Sequence, residues 1–265
     1  MSDKNIQDIY RNELMWGKPI VYKGATIYPV EMSEAFNFHM AVTALTYDQM
    51  QYPDKEIAFK PRLNFLIEMG LRSHQSKDES SIEYQLWGCF SYLLALVFKD
   101  QVVGFSDPDS PNRKVITITR LGDKTVIFGS KDFDEIRRIV LISNDIEVDD
   151  EFIHADIKER MERDAKIMRK SKFDPPNLED LIDICFMYTG KDYDFIKTMN
   201  YRKFNRLIKR ISIFEDYKIC KTGSMSGMVQ FKEEIQHWLT SMDKKDKYQG
   251  LVQSKQDLLD KYNKI

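Results

Sequence analysis

The stretch from Ile82 to Phe98 constrains the fold more than any other. It reads Ile-Glu-Tyr-Gln-Leu-Trp-Gly-Cys-Phe-Ser-Tyr-Leu-Leu-Ala-Leu-Val-Phe, a helix apolar nearly all round. Such a helix has no solvent face to present, so other elements must wrap it. Its longest unbroken apolar run, Leu93 to Phe98, falls far short of the roughly 20 residues that span a bilayer, which makes it a core helix and not a membrane one. The chain has 265 residues, 42% of them hydrophobic, enough for one large or two small domains around that helix.

The elements that could wrap it lie on both sides. After a short polar lead helix, Pro19 to Val30 holds two β-branched and aromatic runs that meet at Lys23-Gly24, which predicts a β-hairpin. Ser33 is placed to cap a helix from Glu34 to about Met50, with Phe36, Met40, Thr43, Ala44 and Tyr47 at helical spacing. Pro61 starts the next helix, with Leu63, Leu66, Ile67 and Gly70 on one side. From Gln101 the hydrophobic period changes to two. Val102–Phe105, Val115–Thr119 and Val126–Phe128 read as three short strands, separated by polar turns. Asp132 is then placed to cap a helix that lays Phe133, Ile136, Ile139 and Val140 across the sheet. A βββα module this small needs support from its neighbours.

Beyond it the composition shifts. Glu147 to Lys172 alternates acid and base, an exposed charged helix ending in a Pro-Pro linker. Asn177 caps a helix with Leu178, Ile182, Ile184 and Cys185 facing inward and Gly190 at its end. Helices follow over Asp192–Met199 and Tyr201–Glu215, then a Gly223–Gly227 loop, a short Val229-Gln230-Phe231 run, and an amphipathic helix over Lys232–Ser241. The expected class is therefore α+β, mainly helical, with an N-terminal β-hairpin and a small central βββα module. The expected regions are 1–99, 100–146, 147–176 and 177–265.

Charge and cysteine narrow the function classes. Forty basic against forty-two acidic side chains leave a net charge of -2, no global field for a polyanion, which argues against nucleic acid as the main partner. Cys89, Cys185 and Cys220 stand singly, which fits neither a disulfide framework nor a zinc knuckle and points to a reducing cytoplasm. The N-terminus lacks the basic start, apolar stretch and cleavage site of a secretory signal. No membrane association is expected.

Catalytic patterns are weak. The best acidic cluster is Asp145, Glu147, Asp149, Asp150, Glu151, His154 and Asp156, in which Asp150 and His154 stand at i and i+4. Helix capping and dipole complementarity explain those acids better than a ligand set. The Gly223–Gly227 loop lacks the Lys-Ser/Thr ending of a phosphate loop. His237-Trp238 has no Ser or Cys beside it in a recognised motif, and a structural aromatic anchor is the better reading. Arg202-Lys203, Arg206 and Lys209-Arg210 place bases along one helix, a pattern shared by phosphate binders and by ordinary solvated faces. The thirteen methionines would suit an adaptable binding surface, although most are expected to fill the core.

Three stretches carry a family resemblance. The first is Trp16-Gly17-Lys18-Pro19-Ile20 with Ile27-Tyr28-Pro29-Val30; the second is Phe133 to Ile139 running into Ser143-Asn144-Asp145-Ile146; the third is Gly227-Met228-Val229-Gln230-Phe231-Lys232 leading to Ile235-Gln236-His237-Trp238. With these the chain resembles tail assembly chaperones and morphogenesis proteins of long-tailed bacteriophages of Gram-positive hosts. The resemblance implies a non-enzymatic protein without cofactor. It would bind the tape measure protein, with tail tube subunits or other tail proteins as further partners, in the host cytoplasm. Gly227, Val229, Lys232, His237 and Trp238 are the residues it marks for partner binding or structural anchoring. A tail or baseplate component is the alternative, with a metal-dependent hydrolase using Asp145, Asp149 and His154 behind it. A homo-oligomer is compatible with each.

Overall fold

The computed structural model describes residues 3–76, 78–107, 110–120, 125–146, 176–227, 231, 234–235 and 237–242. The chain is α+β and mainly helical, and it divides into two compact units, Met1–Arg206 and Leu207–Ile265. The expected charged helix over 147–172 lies outside the described residues.

Two short helices, α1 (Asp3–Ile9) and α2 (Arg11–Trp16), lead into an antiparallel hairpin of β1 (Ile20–Tyr22) and β2 (Ala25–Ile27). Its turn residues Lys23 and Gly24 both have positive φ, 47° and 94°, the geometry whose twist matches the flanking strands. The long helix expected over 34–50 is broken instead. A 3-10 turn at Met32–Glu34 is followed by α3 (Ala35–Ala41), α4 (Thr43–Thr46) and a second 3-10 turn at Gln49–Gln51. Ser33 sits inside the first turn, and no side chain caps α3. The expected stripe is also rotated. Phe36 and Met40 are exposed, while Ala35, Phe38, Ala41, Ala44 and Leu45 are buried.

After α5 (Lys55–Ala58), helices α6 (Arg62–Ser76) and α7 (Ile82–Phe98) form the centre of the first unit. Ser81 accepts from the Tyr84 amide and caps α7. Leu63, Leu66, Ile67 and Gly70 face inward as the spacing predicts. Helix α7 buries Leu86, Phe90, Leu93, Leu94, Val97 and Phe98 but leaves Tyr84 and Tyr92 in solvent. It is wrapped on one side, not all round.

The sheet follows as β3 (Gln101–Asp107), β4 (Ser110–Arg120) and β5 (Val126–Phe128), antiparallel in the order β3-β4-β5. Helix α8 (Ser130–Ser143) closes the module with Phe133, Ile136, Ile139 and Val140 buried. The cap residue is Gly129, not Asp132; Asp132 stands one turn in and accepts from the Gly129 amide at 3.3 Å. Phe90 of α7 meets Phe105 of β3 at 5.9 Å and Phe133 of α8 at 5.7 Å between ring centres. The module thus shares one core with α6 and α7, the support its size requires.

Polar contacts tie the hairpin to α8. Tyr22 donates to Glu135 at 2.6 Å, and Lys23 pairs with Asp132 at 2.5 Å. Burial, and then the bond to Glu135, push the Tyr22 hydroxyl up to about 12. Asn144 is fully buried; its Oδ1 accepts from the Val30 amide at 2.9 Å and its Nδ2 donates to the Val140 carbonyl at 2.8 Å.

The last helices are α9 (Leu178–Thr189), α10 (Tyr193–Lys197) and α11 (Tyr201–Met225). Asn177 and Asp180 form a reciprocal capping box, and Gly190 ends α9 at φ 63°, as its sequence signals predict. Backbone bonds join α11's start to the N-terminal region: Met32 donates to Met199 and Tyr201 to Val30, both at 2.8 Å. Helix α11 runs ten residues beyond Glu215, through the expected Gly223 loop, to Met225. The helix expected over 232–241 is not formed at its described positions, which are irregular or turn.

Candidate functional site

The described residues among those marked by sequence, Gly227, His237 and Trp238, fall in the second unit, around the later part of α11. Arg210 projects from that helix, and its Nη1 donates to the carbonyls of Trp238 and of Thr240, the latter at 3.0 Å. The Trp238 ring meets Phe214 edge-on at 5.2 Å, and His237 lies 5.1 Å from the Tyr217 ring. Trp238 is half-buried, not enclosed. His237 Nδ1 accepts from the Leu239 amide at 3.2 Å and its carbonyl from the Thr240 amide at 3.0 Å, so its ring is engaged in a local turn. Gly227 follows α11 at φ 72° with open space where a Cβ would stand. Val229 and Lys232 lie outside the described residues. Phe214 and Tyr217 are the partners that sequence alone did not single out; with Arg210, read there only as part of a basic stripe, their i, i+4, i+7 spacing is the signal that places them on one face of a helix.

The acidic cluster is reduced to one described member. Asp145 adopts φ 58° after α8 and lies 3.8 Å from Arg202, whose Nη1 donates to the Ile142 carbonyl at 2.6 Å. Glu147, Asp149, Asp150, Glu151, His154 and Asp156 are outside the described residues. Among the described residues no group of three or more His, Cys, Asp or Glu is arranged to hold a metal ion, and no helix is long and apolar enough to cross a membrane. The basic stripe is largely committed to the chain itself. Arg202 is engaged as above, Lys203 lies 5.9 Å over the Trp16 ring, and Arg210 holds the Trp238 turn. Arg206 and Lys209 also have partners.

A polar cleft on α6 and α7 is lined by Glu68, Arg72, Gln75, Ser76 and Glu83. Its charges are mutually satisfied. Glu68 accepts from Lys114 at 2.5 Å and Lys60 at 3.2 Å, and these bonds, Lys114's first, hold its carboxyl below the usual range. Arg72 donates to Asp54 at 2.9 Å, while Tyr52 donates to Glu83 at 2.6 Å. Burial, and then the bond to Glu83, raise the Tyr52 hydroxyl to about 12. The cleft residues contain no nucleophile paired with a base.

The least satisfied surface is apolar. Met187 is 76% exposed, Tyr193 53% and Phe186 41%, on α9 and α10. Elsewhere Met15, Met40, Met50 and Met225 are exposed as well, and only Met32 and Met69 are buried among the described methionines. The expectation that most fill the core is therefore overturned: the core is filled mainly by Phe, Leu and Ile, and most of the described methionines sit outside it. Residues 168–243, under a third of the chain, are similar to the YomV second domain. That family is phage-associated. No curated protein and no solved structure matches the chain. The matched segment contains α9, α10, α11 and the Trp238 turn.

Proposed function

We propose that the chain is a non-catalytic phage morphogenesis protein, a tail assembly chaperone that holds the tape measure protein in the host cytoplasm until the tube forms around it. The observation that carries this reading is the exposed methionine and aromatic side chains on α9 and α10, inside the segment similar to a phage-associated domain. Met187 is flexible and polarizable and stands among the exposed rings of Phe186, Tyr188, Tyr193 and Phe195, a surface that adapts to a long apolar seam without a fixed fit. A tape measure protein is such a client, and its seam would aggregate if left bare. The resemblance of Gly227 to Trp238 to the chaperone family adds support. The internally engaged charges of the cleft and of α11 add more, since they direct client binding away from those two regions.

Co-expression is the test. The soluble fraction of the tape measure protein from the same phage should rise when this chain is made with it, and the complex should survive moderate salt. Mass spectrometry of purified virions should find the chain absent. Its presence at structural copy number would overturn the chaperone reading in favour of a tail or baseplate component.

A further inference from the structure

The apolar face of α9 and α10 carries a sign of charge, and that sign selects the partner. Asp183, Phe186 and Met187 stand at i, i+3 and i+4 of α9 and so share one face, with Glu179 one turn before them. The Tyr193 ring stacks on Phe186 at 5.1 Å with planes 2° apart, and its hydroxyl donates to Asp183 Oδ1 at 2.8 Å. The aromatic pair is therefore held in place before anything binds. Over residues 177–197 five carboxylates stand against two lysines, and Lys191 already lies 5.6 Å over the Phe195 ring.

We propose that this face is a docking site for a basic amphipathic helix of a partner protein. Its apolar side chains cover Phe186 and Met187, and a Lys or Arg head enters between the Asp183 and Glu179 carboxylates and the open face of Tyr193. The proposal rests on the client-holding reading above and names the chemistry of the client segment. Three features select that occupant. A ridge at i, i+3 and i+4 fits the groove of another helix. A cation within about 6 Å of an aromatic face gains from the ring quadrupole, and the neighbouring carboxylates add to it. An anionic surface, whether nucleic acid or acidic lipid, is repelled by the same carboxylates. A second copy of this chain offers no ready basic face on α11, because Arg202, Lys203 and Arg210 are engaged within their own chain.

The experiment uses the full chain and two dye-labelled helical peptides with the same Leu-rich seam, one flanked by lysines and one by glutamates, followed by fluorescence anisotropy. The lysine peptide should bind at least tenfold more tightly, and its affinity should fall several-fold as salt rises through the range where the Debye length shrinks to a few ångströms. Asp183→Lys should weaken the lysine peptide at least tenfold and strengthen the glutamate peptide, while circular dichroism stays unchanged because Asp183 is exposed. Met187→Ser should weaken both. Equal binding of the two peptides, or indifference to Asp183→Lys, overturns the proposal, and a concentration-dependent dimer abolished by Asp183→Lys overturns it in favour of self-association. If the Asp183→Lys chain still solubilises the tape measure protein, this face is lost as the site and the chaperone reading stands. If the wild-type chain binds the lysine peptide but not that client, the reverse holds.

Discussion

Glu68 shows how a single residue links the fold to pH. It is reached by Lys60 from the loop before α6 and by Lys114 from β4, so one carboxylate joins helix to sheet. Its carboxyl is depressed in the folded protein from an ordinary value of 4.5. A depressed carboxyl contributes stability that is present above the unfolded value and is lost as pH falls through the folded one. Glu68→Gln should therefore lower the unfolding free energy at pH 7 by about 1 kcal/mol, the scale of a partly exposed ion pair. The deficit should vanish in acid, well below pH 4.5. Urea titrations at both pH values check this, and an equal deficit in acid would count against it. Residues whose roles follow from local chemistry were legible in the sequence: Asn177 as cap, Gly190 as helix stop, and Lys23-Gly24 as turn. Asn144 was not. Its value lies in a bond to Val30, 114 positions away in sequence, and no local pattern encodes such a partner.

At the scale of elements, α6 and α7 cross where Gly70 faces Trp87. A Cβ on Gly70 would stand 2.7 Å from the indole carbons, inside any tolerable contact. Gly70→Ala should therefore destabilise the protein by about 1–3 kcal/mol through overpacking, despite alanine's better helix propensity. Thermal unfolding measures this, and a gain in stability would show that the helices separate freely. The sequence predicted the bounds of α7, Ile82–Phe98, but not its solvent-facing side, and it missed the break in the helix expected over 34–50. Two apolar stripes compete there, the expected Phe36-Met40-Thr43-Ala44-Tyr47 and Ala35-Phe38-Val42-Leu45, and both have helical spacing. Periodicity cannot choose between them. The β-branched pair Val42-Thr43 and the extended Tyr47 and Asp48 then interrupt the helix. At the other end, helix α11 continues through Gly223, because a single glycine costs a long amphipathic helix only about 1 kcal/mol.

Across the whole molecule, one apolar core extends from Ile6 to Ile142. The βββα module contributes Ile116, Ile118, Phe128 and Phe133 to it but takes Phe90 and Leu93 from α7. Residues 100–146 expressed alone should therefore show no cooperative unfolding transition by circular dichroism. A sharp transition would make the module a domain in its own right. The candidate site was less legible than the fold. Sequence directed attention to His237 and Trp238, whereas the exposed face on α9 and α10 depends on which apolar residues the core leaves uncovered, a property of packing alone. The backbone bonds of Val30 and Met32 to residues 199–201 also set the order of events during synthesis. A ribosome adding about 5–20 residues per second needs roughly ten to forty seconds to make those partners after it has begun. Until then the Val30 carbonyl and Met32 amide wait in solvent, and the nascent chain carries an open seam beside its hairpin. That interval is when folding factors would matter most to this protein.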